Sequence, residues 1–235
     1  MTYIEGFVVP VPTANRDAYL QAAEKFVAMG REFGVARHTE WWGDDVAHGK
    51  VTDFYRAVDA GDGETVVFSW FEYPDKATRD AANAKMMADP RMAEMGKDMP
   101  FDGKRMIVGG FESIVDTGGA RGGYVDGFVA PAPDRAAYLD MAAHAAPIFL
   151  EHGATRVVEG WEDDVSDGKV TDYRRAVQAQ EGEKIVFSWI QWPDKATRDA
   201  GWAKVMADAR MQPPETMPFD GKRMFWGGFT PILDK

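Results

Sequence analysis

Two arginines lie among aromatic residues in a segment that occurs twice in this chain. The segment reads TDFYRAV from Thr52 and TDYRRAV from Thr171, and VFSW follows it in both cases. Phe54–Ala60 and Thr65–Tyr73 flank the turn sequence GDG, which predicts a β-hairpin. Side chains alternate between the faces of a strand, so one face of each hairpin should carry an arginine with large aromatic neighbours. These residues are Arg56, Phe68 and Trp70 in the first copy, and Arg175, Phe187 and Trp189 in the second.

An arginine on such a face needs a negatively charged partner, because an unpaired charge is expensive to bury. The first predicted strand of each copy offers a carboxylate, Glu5 or Asp126. In one interpretation the arginine and the aromatic side chains form a pocket for an anionic or enolate-like oxygen, with the carboxylate as the base. In the other, the same groups form a structural ion pair with cation–π packing. The sequence favours neither interpretation.

Paired aspartates form a second candidate for chemistry, because carboxylate oxygens are the ligands that Mg²⁺ and Ca²⁺ prefer. The tripeptide DDV contains Asp44 and Asp45 in the first copy, and Asp163 and Asp164 in the second. Their spacing does not match an EF-hand, and Lys50 stands close by in the sequence. We therefore keep the four aspartates as weak candidates, interpret the loop as solvated, and predict no metal.

The chain has four histidines, and none of them aligns with a histidine of the other copy; they are His38, His48, His144 and His152. A histidine base or haem ligand would therefore exist in one half only, and we interpret these residues as surface or incidental. The sequence has no cysteine, no nucleotide-binding motif and no paired histidines. These features predict a protein without a bound cofactor.

Charge and hydropathy narrow the possible partners. The 235 residues include 38 acidic and 27 basic side chains, a net charge of −11, which should repel nucleic acid and anionic membrane surfaces. No apolar run approaches the ~18 residues of a membrane span, and the first residues do not resemble a signal peptide. We therefore predict a cytoplasmic protein that binds a small molecule, with no nucleic acid and no membrane partner.

An internal repeat organises the chain. The octapeptide MPFDGKRM occurs at Met99–Met106 and again at Met217–Met224, and PDKATRDA, VFSW and GKVTD also occur twice in the same order. Such a repeat predicts a duplicated domain. We place the first repeat at residues 1–116, a glycine-rich linker at 117–123 and the second repeat at 124–235.

Each repeat shows the same series of predicted elements. In the first copy these are a strand at Tyr3–Val11, a helix at Asn15–Phe33 ended by Gly34, a strand at Ala36–Trp42, the hairpin, a helix capped by Asp75, and a last strand at Lys104–Val115. This order predicts an α+β fold, a ferredoxin-like β-α-β-β-α-β unit with an extra hairpin strand. One face of such a sheet lacks helices, so we expect the two repeats to pack sheet to sheet as an intrachain pseudo-dimeric α/β barrel. The monomer would then act as a pseudo-dimer, with further oligomerisation left open.

Long stretches of both copies resemble the YbaA-like family of uncharacterised bacterial proteins. In the first copy they are EGFVVPVP from Glu5, WGDDVAHGKVTDFYRAV from Trp42, VVFSWFEYP from Val66, RDAANAKMMADPRM from Arg79 and MPFDGKRMIVGGFE from Met99. The resemblance implies the dimeric α/β-barrel superfamily, here as two protomers fused in tandem. That superfamily includes cofactor-free monooxygenases, haem-degrading enzymes, small isomerases and non-catalytic ligand binders. The second copy departs from the pattern at Gln212–Pro214 and at Trp202, where the first copy has Asn83, so the two sites need not be equivalent.

Two functional hypotheses follow from these observations. The first is a small-molecule site, in a cofactor-free enzyme of the monooxygenase or isomerase type, with Arg56 and Arg175 holding the ligand. The second is a non-catalytic module that binds a metabolite or a partner protein, in which the charged residues are purely structural.

Overall fold

The structure, a computed structural model, describes residues 2–119 and 121–235; residue 120, within the predicted linker, lies outside the described residues. The strands are β1 (Tyr3–Pro12), β2 (Arg37–Asp45), β3 (Glu64–Tyr73), β4 (Ile107–Gly118), β5 (Tyr124–Ala132), β6 (Arg156–Asp164), β7 (Lys184–Trp192) and β8 (Phe225–Asp234). The helices are α1 (Arg16–Phe33), α2 (Phe54–Ala57), α3 (Lys76–Ala88), α4 (Pro90–Met95), α5 (Arg135–Glu151), α6 (Tyr173–Ala176) and α7 (Lys195–Ala207). No helix in these described ranges is both long enough and apolar enough to cross a membrane.

The strands of the two repeats close one antiparallel barrel in the described part of the chain. Each repeat forms a four-stranded sheet, with the order β4-β1-β3-β2 in the first half and β8-β5-β7-β6 in the second. The edge strands then pair across the halves, β2 with β8 and β6 with β4. Among the strands that the structure describes, closure leaves no exposed sheet edge. The predicted pseudo-dimeric α/β barrel is confirmed, with edge-to-edge hydrogen bonds in addition to the facing sheets.

Local sequence signals set the ends of the long helices. The carboxylate of Asp75 accepts a hydrogen bond from the backbone N–H of Thr78 at 2.7 Å, which caps α3 as the sequence predicts. Gly34 ends α1 in the left-handed conformation, with φ at 115°, where a residue with a Cβ atom would be strained. These signals fix one end of each helix, and both helices pack on the outer face of the first sheet. In the second half, α5 and α7 take the equivalent places.

Aromatic side chains from both halves fill the barrel interior. Trp70 stacks on Trp189 with ring centroids 4.1 Å apart, and Phe68 stacks on Phe187 at 4.5 Å. Gly6 on β1 makes room for these rings, because a Cβ atom there would lie 2.8 Å from the ring of Phe187. The two halves therefore share a single packed core inside the barrel.

The predicted first strand of each hairpin is wrong, because the chain forms a short helix there. In the first half α2 begins after Asp53, whose carboxylate accepts a hydrogen bond from the backbone N–H of Arg56 at 2.8 Å. Phe54 and Ala57 then lie on the buried side of this helix and enter the barrel core. Helix α6 repeats the arrangement from Asp172, and α2 packs against α6.

Candidate functional site

The predicted ligand-binding arginines lie outside the barrel interior. The side chains of Arg56 and Arg175 are 53% and 54% exposed, and each forms an ion pair with the aspartate that caps its helix. Each also donates a hydrogen bond to a loop carbonyl at 2.8 Å, Gly49 O for Arg56 and Gly168 O for Arg175. The placement among aromatic residues is wrong, because the helical backbone of α2 and α6 turns these side chains towards the solvent.

The predicted aromatic lining and the predicted carboxylates lie on opposite faces of the sheet. Trp70, Trp189, Phe68 and Phe187 are fully buried in the packed barrel core. Glu5 pairs in register with Phe71, one residue beyond Trp70, and so lies on the helix-facing side. Asp126 pairs with Ile190 and is placed in the same way. The structure therefore does not bring the arginines, the aromatic residues and the carboxylates together.

The two predicted catalytic carboxylates differ in their surroundings. Glu5 accepts hydrogen bonds from Asn83 Nδ2 at 2.8 Å and from the Tyr73 hydroxyl at 3.4 Å. Burial raises the pKa of Glu5, although these hydrogen bonds and Arg79 oppose the shift. Asp126 accepts hydrogen bonds from the indoles of Trp192 and Trp202, at 2.9 and 2.7 Å, and forms an ion pair with Arg198 at 2.7 Å. The contacts of Asp126 with three donors are those of a structural carboxylate.

The four aspartates considered as metal ligands form ion pairs between the halves. Asp44 accepts hydrogen bonds from the Tyr124 hydroxyl at 2.9 Å and from Lys195 at 2.6 Å, and Asp45 pairs with Arg198 at 3.1 Å. The second half repeats these contacts: Asp163 meets Tyr3 and Lys76, and Asp164 meets Arg79. The hydrogen bond from Lys195 lowers the pKa of Asp44. Within residues 2–119 and 121–235, no group of three or more His, Asp or Glu side chains is placed to hold a metal.

A cavity lies between the helices and the outer face of the sheet in each half. The first-half cavity, of about 490 Å³, is lined by residues of β1, β2 and β3, by α1 and α3, and by the segment that follows α3. The second-half cavity, of about 590 Å³, has the equivalent lining from β5, β6, β7, α5 and the chain after α7. Most of the lining is apolar and rich in methionine, as in Met86, Met92 and Met99 of the first half. These volumes fall in the range of about 300–1,000 Å³ that is usual for small-molecule sites.

A hydrogen-bonded tyrosine and glutamate lie in the wall of each cavity. The Tyr19 hydroxyl donates to Glu40 Oε2 at 2.7 Å, and the Tyr138 hydroxyl donates to Glu159 Oε2 at 2.6 Å. Both glutamates lie on the helix-facing side of their strands, one residue away from an inward-facing side chain, and both tyrosines lie in the second turn of a long helix. We call these two groups the Tyr–Glu pairs.

The Tyr–Glu pairs combine buried, neutral phenols with carboxylates that are buried at Glu40 and half-buried at Glu159. Burial, together with the neighbouring glutamate, raises the pKa of Tyr19 and Tyr138 well above 10.0, which keeps both hydroxyls protonated as donors. Burial also raises the pKa of Glu159, although hydrogen bonds from Ser188 and Tyr138 oppose the shift. A carboxylate that binds a proton readily, in a largely apolar cavity, is suited to general acid–base chemistry.

The Tyr–Glu pairs were not predicted from the sequence, although the repeat contains a signal for them. Tyr19 and Tyr138 are 119 residues apart, and so are Glu40 and Glu159. Each glutamate lies two residues before a tryptophan in a predicted strand, and a carboxylate kept there in both copies needs a partner if it is buried. Comparison of the two copies for charged residues shared within predicted strands would have included both glutamates.

The two cavities differ at a few equivalent positions. The first-half cavity contains His38 and Asn83, where the second half has Val157 and Trp202. Trp202 lines the second-half cavity while its indole N–H donates to Asp126. The interpretation of His38 as a surface residue is wrong, because its side chain is buried in the wall of the first-half cavity.

The fold and these cavities define a dimeric α/β-barrel protein whose two protomers are joined in one chain. A model of the family described as "Protein of unknown function (DUF1428)" matches residues 2–103 and again residues 123–221. The chain belongs to this family. It is similar to "Uncharacterized protein YbaA" of Escherichia coli (strain K12), with 60% identity over 116 residues, which are 49% of this chain and 99% of that protein. The protein of the same name from Shigella flexneri matches equally well.

Solved structures with the same fold share little sequence with this chain. Two of them carry the name "putative monooxygenase". The one from Lactobacillus acidophilus NCFM has a TM-score of 0.57 and 12% sequence identity, and the match covers 99% of this chain and 95% of that protein. The one from Fusobacterium nucleatum has a TM-score of 0.55 and 10% sequence identity, and the match covers 100% of this chain and 94% of that protein. An anthrone oxidase-like protein matches with a TM-score of 0.51 and 11% identity over 100% of this chain and 92% of its own. At these identities the similarity shows the fold alone.

Proposed function

We propose that each half binds an apolar small molecule in the cavity beneath its helices, and that the Tyr–Glu pair promotes removal of a proton from that molecule. The observation that carries this proposal is the presence of the same hydrogen-bonded pair, Tyr19 with Glu40 and Tyr138 with Glu159, in both cavities. An ionisable pair in an otherwise apolar concave site is a typical feature of a functional site.

The lining of the cavities indicates the class of ligand. Aromatic side chains such as Phe7 and Phe101 offer flat apolar surfaces, and flexible methionines adapt to ligands of different outlines. An apolar molecule of one to three rings, with one acidic C–H or O–H group, fits a volume of about 490 to 590 Å³.

Proton removal next to a carbonyl gives an enolate, which can be reprotonated elsewhere, as in an isomerase, or can react with oxygen without a bound cofactor. The names of the three structural relatives, two given as "putative monooxygenase" and one as an anthrone oxidase-like protein, agree with such chemistry on this fold. Because the fold hosts many chemistries, this support comes from analogy, and the Tyr–Glu pairs remain the main support.

Binding is tested by filling one cavity at a time. Ala23 and Ala142 occupy equivalent places in α1 and α5, and both line a cavity. The neutral dye N-phenyl-1-naphthylamine fluoresces when it enters an apolar site, and we expect two dye molecules per wild-type chain. Ala23→Phe and Ala142→Phe should each leave one dye molecule, and the double variant none. An unchanged stoichiometry in the double variant would show that the dye binds elsewhere and would contradict the proposed site.

Proton removal is tested with 2-tetralone, an apolar bicyclic ketone with acidic hydrogens. In deuterium oxide, the protein should speed exchange of these hydrogens above the buffer rate, as measured by proton NMR. The double variant Glu40→Gln and Glu159→Gln should bring exchange back to the buffer rate while still binding the dye. Dye binding by the wild type without faster exchange would support the alternative function, a non-catalytic metabolite-binding module.

A further inference from the structure

His38 distinguishes the first-half cavity from the second. Its side chain is 3% exposed and lines the cavity beside the Tyr–Glu pair. Nε2 of His38 lies 2.7 Å from Glu40 Oε1, while the other carboxylate oxygen, Oε2, accepts the hydrogen bond of Tyr19. Glu40 therefore links a phenol and an imidazole. In the second half Val157 takes the place of His38, and Glu159 interacts with Tyr138 and Ser188 instead.

The second ring nitrogen of His38 has no hydrogen-bond partner within residues 2–119 and 121–235. Nδ1 is buried and makes no hydrogen bond to any of the described residues. When Glu40 is ionised, the proton of the imidazole is on Nε2, facing the carboxylate, and Nδ1 carries a free lone pair. A buried acceptor without a partner is costly, and the His38 side chain borders the cavity, so a bound ligand that reaches Nδ1 would supply the missing donor.

Aromatic neighbours hold the imidazole in this orientation. Phe71 meets the His38 ring edge-on with centroids 4.5 Å apart, and Phe26 does so at 5.6 Å. Both phenylalanines line the first-half cavity, so a ligand near His38 would also contact their rings. The second half has Ile190 and Ala145 at these positions. An acceptor nitrogen beside aromatic side chains is suited to an aromatic hydroxyl compound.

We propose that the first-half cavity takes an apolar phenol or enol, and that Nδ1 of His38 removes its hydroxyl proton. The O–H bond of the ligand breaks, the new bond is Nδ1–H, and the electron pair stays on the ligand oxygen. The resulting imidazolium is stabilised by ionised Glu40, which also orients the ring before the transfer. The second-half cavity lacks the imidazole and would bind apolar compounds without this ionisation. This inference rests on the proposed function, since it needs a ligand in the cavity.

The test uses 4-nitrophenol, whose phenolate absorbs at a longer wavelength than the neutral phenol. At a pH where the free probe is neutral, the wild type should produce the phenolate band on binding. His38→Val should abolish the band, and so should Ala23→Phe, which fills the same cavity. Ala142→Phe, which fills the other cavity, should leave the band as in the wild type. Glu40→Gln keeps the side-chain volume and should also abolish the band, because the neutral amide no longer stabilises the imidazolium.

Stoichiometry with N-phenyl-1-naphthylamine separates the possible failures. We expect His38→Val to bind two dye molecules, as the wild type does, which shows an intact fold and open cavities. A phenolate band that survives in His38→Val, or that is lost in Ala142→Phe instead of Ala23→Phe, would overturn the role of His38 and leave the proposed function standing. Failure of the wild type to bind the dye in either cavity would overturn both proposals.

Discussion

Strand β3 presents Phe68 and Trp70 to the barrel interior, and Ser69 and Phe71 to the helices. The inward-facing side chains are fully buried against their equivalents from the other half. The outward-facing ones line the first-half cavity. One strand thus contributes its large rings to a packed interface on one side and borders open space on the other.

This difference separates the residues that hold the halves together from those that could bind a ligand. The inner faces are committed to a common core, so a change there affects both halves at once. The outer faces are independent, because each cavity is lined by its own sheet and helices. A duplicated chain can therefore alter one cavity, as at His38 and Val157, without disturbing the barrel.

The largest expected loss of stability comes from removing an aromatic side chain from the barrel interior. Trp70→Ala should lower the free energy of unfolding by roughly 3–5 kcal/mol, because it removes a ring stacked on Trp189 in a close-packed core. Urea denaturation followed by circular dichroism measures the change, with Phe71→Ala, from the partly exposed cavity side of β3, as the control. A Trp70→Ala variant that keeps its stability and loses dye binding would instead restore the aromatic residues as pocket lining.

Glu159 should make the stability of the folded state depend on pH. Its pKa is raised in the folded chain, so the folded state holds the proton more tightly than the unfolded state does. Stability from this group is present at low pH and is lost as the pH rises from the ordinary value of 4.5 through the raised folded value. The side-chain amide in Glu159→Gln does not ionise, so the stability of this variant should fall less than that of the wild type as the pH rises through this range.

The midpoint of urea denaturation, measured from about pH 4 to about pH 8, tests this expected loss of stability with rising pH. Glu181→Gln is the matched control, because Glu181 is exposed in the loop before β7 and its replacement should leave the wild-type pH profile unchanged. If the Glu159→Gln profile runs parallel to that of the wild type, the Glu159 carboxylate does not respond to pH as its surroundings indicate.

The ion pairs between the halves should change stability less than Glu159 does, and their contribution should be lost as the pH falls instead of as it rises. Burial alone would raise the pKa of Asp163, but hydrogen bonds from Lys76 and Tyr3 hold that pKa below its ordinary value. The hydrogen bond from Lys195 likewise lowers the pKa of Asp44. Their stabilisation is present above the ordinary value of 3.8 and is lost as the pH falls through the lower folded value. The double variant Asp44→Asn and Asp163→Asn should lose no more than about 1 kcal/mol per pair at neutral pH.

Melting temperatures at neutral pH, at acid pH and in high salt measure this contribution. The difference between the double variant and the wild type should shrink in acid, where both aspartates are protonated, and in salt, which screens partly exposed charges. A constant difference under all three conditions would mean that these contacts act by packing and not by charge.

Most of the fold could be predicted from the sequence because its signals are local or repeated. The helix cap Asp75, the helix end Gly34 and the duplicated segments each mark a boundary without knowledge of the tertiary structure. Helix α2 could not be recognised, since its four residues are too short to show a helical period. The same residues alternate acceptably as a strand, so the hairpin prediction had no local contradiction.

The candidate site could not be predicted from the sequence of any single strand. Alternation separates the two faces of β3, but only closure of the barrel decides which face is filled and which borders a cavity. The pocket predicted from the sequence was on the face of Trp70, while Glu40 lies on the other face of the sheet, where it contacts Tyr19. The pairing of Tyr19 with Glu40 joins a helix to a strand, and such a contact is visible only in the folded chain.

The smallest expected effect belongs to the arginines that the sequence analysis placed in the pocket. Arg56 and Arg175 are about half exposed, and each is held by a capping aspartate and a loop carbonyl. Exposed ion pairs of this kind contribute about 0–1 kcal/mol, so the double variant Arg56→Met and Arg175→Met should be only slightly less stable. We expect it to bind two molecules of N-phenyl-1-naphthylamine, as the wild type does. Loss of the dye from this variant, with its melting temperature preserved, would return the arginines to the binding site and weaken the assignment of the cavities beneath the helices.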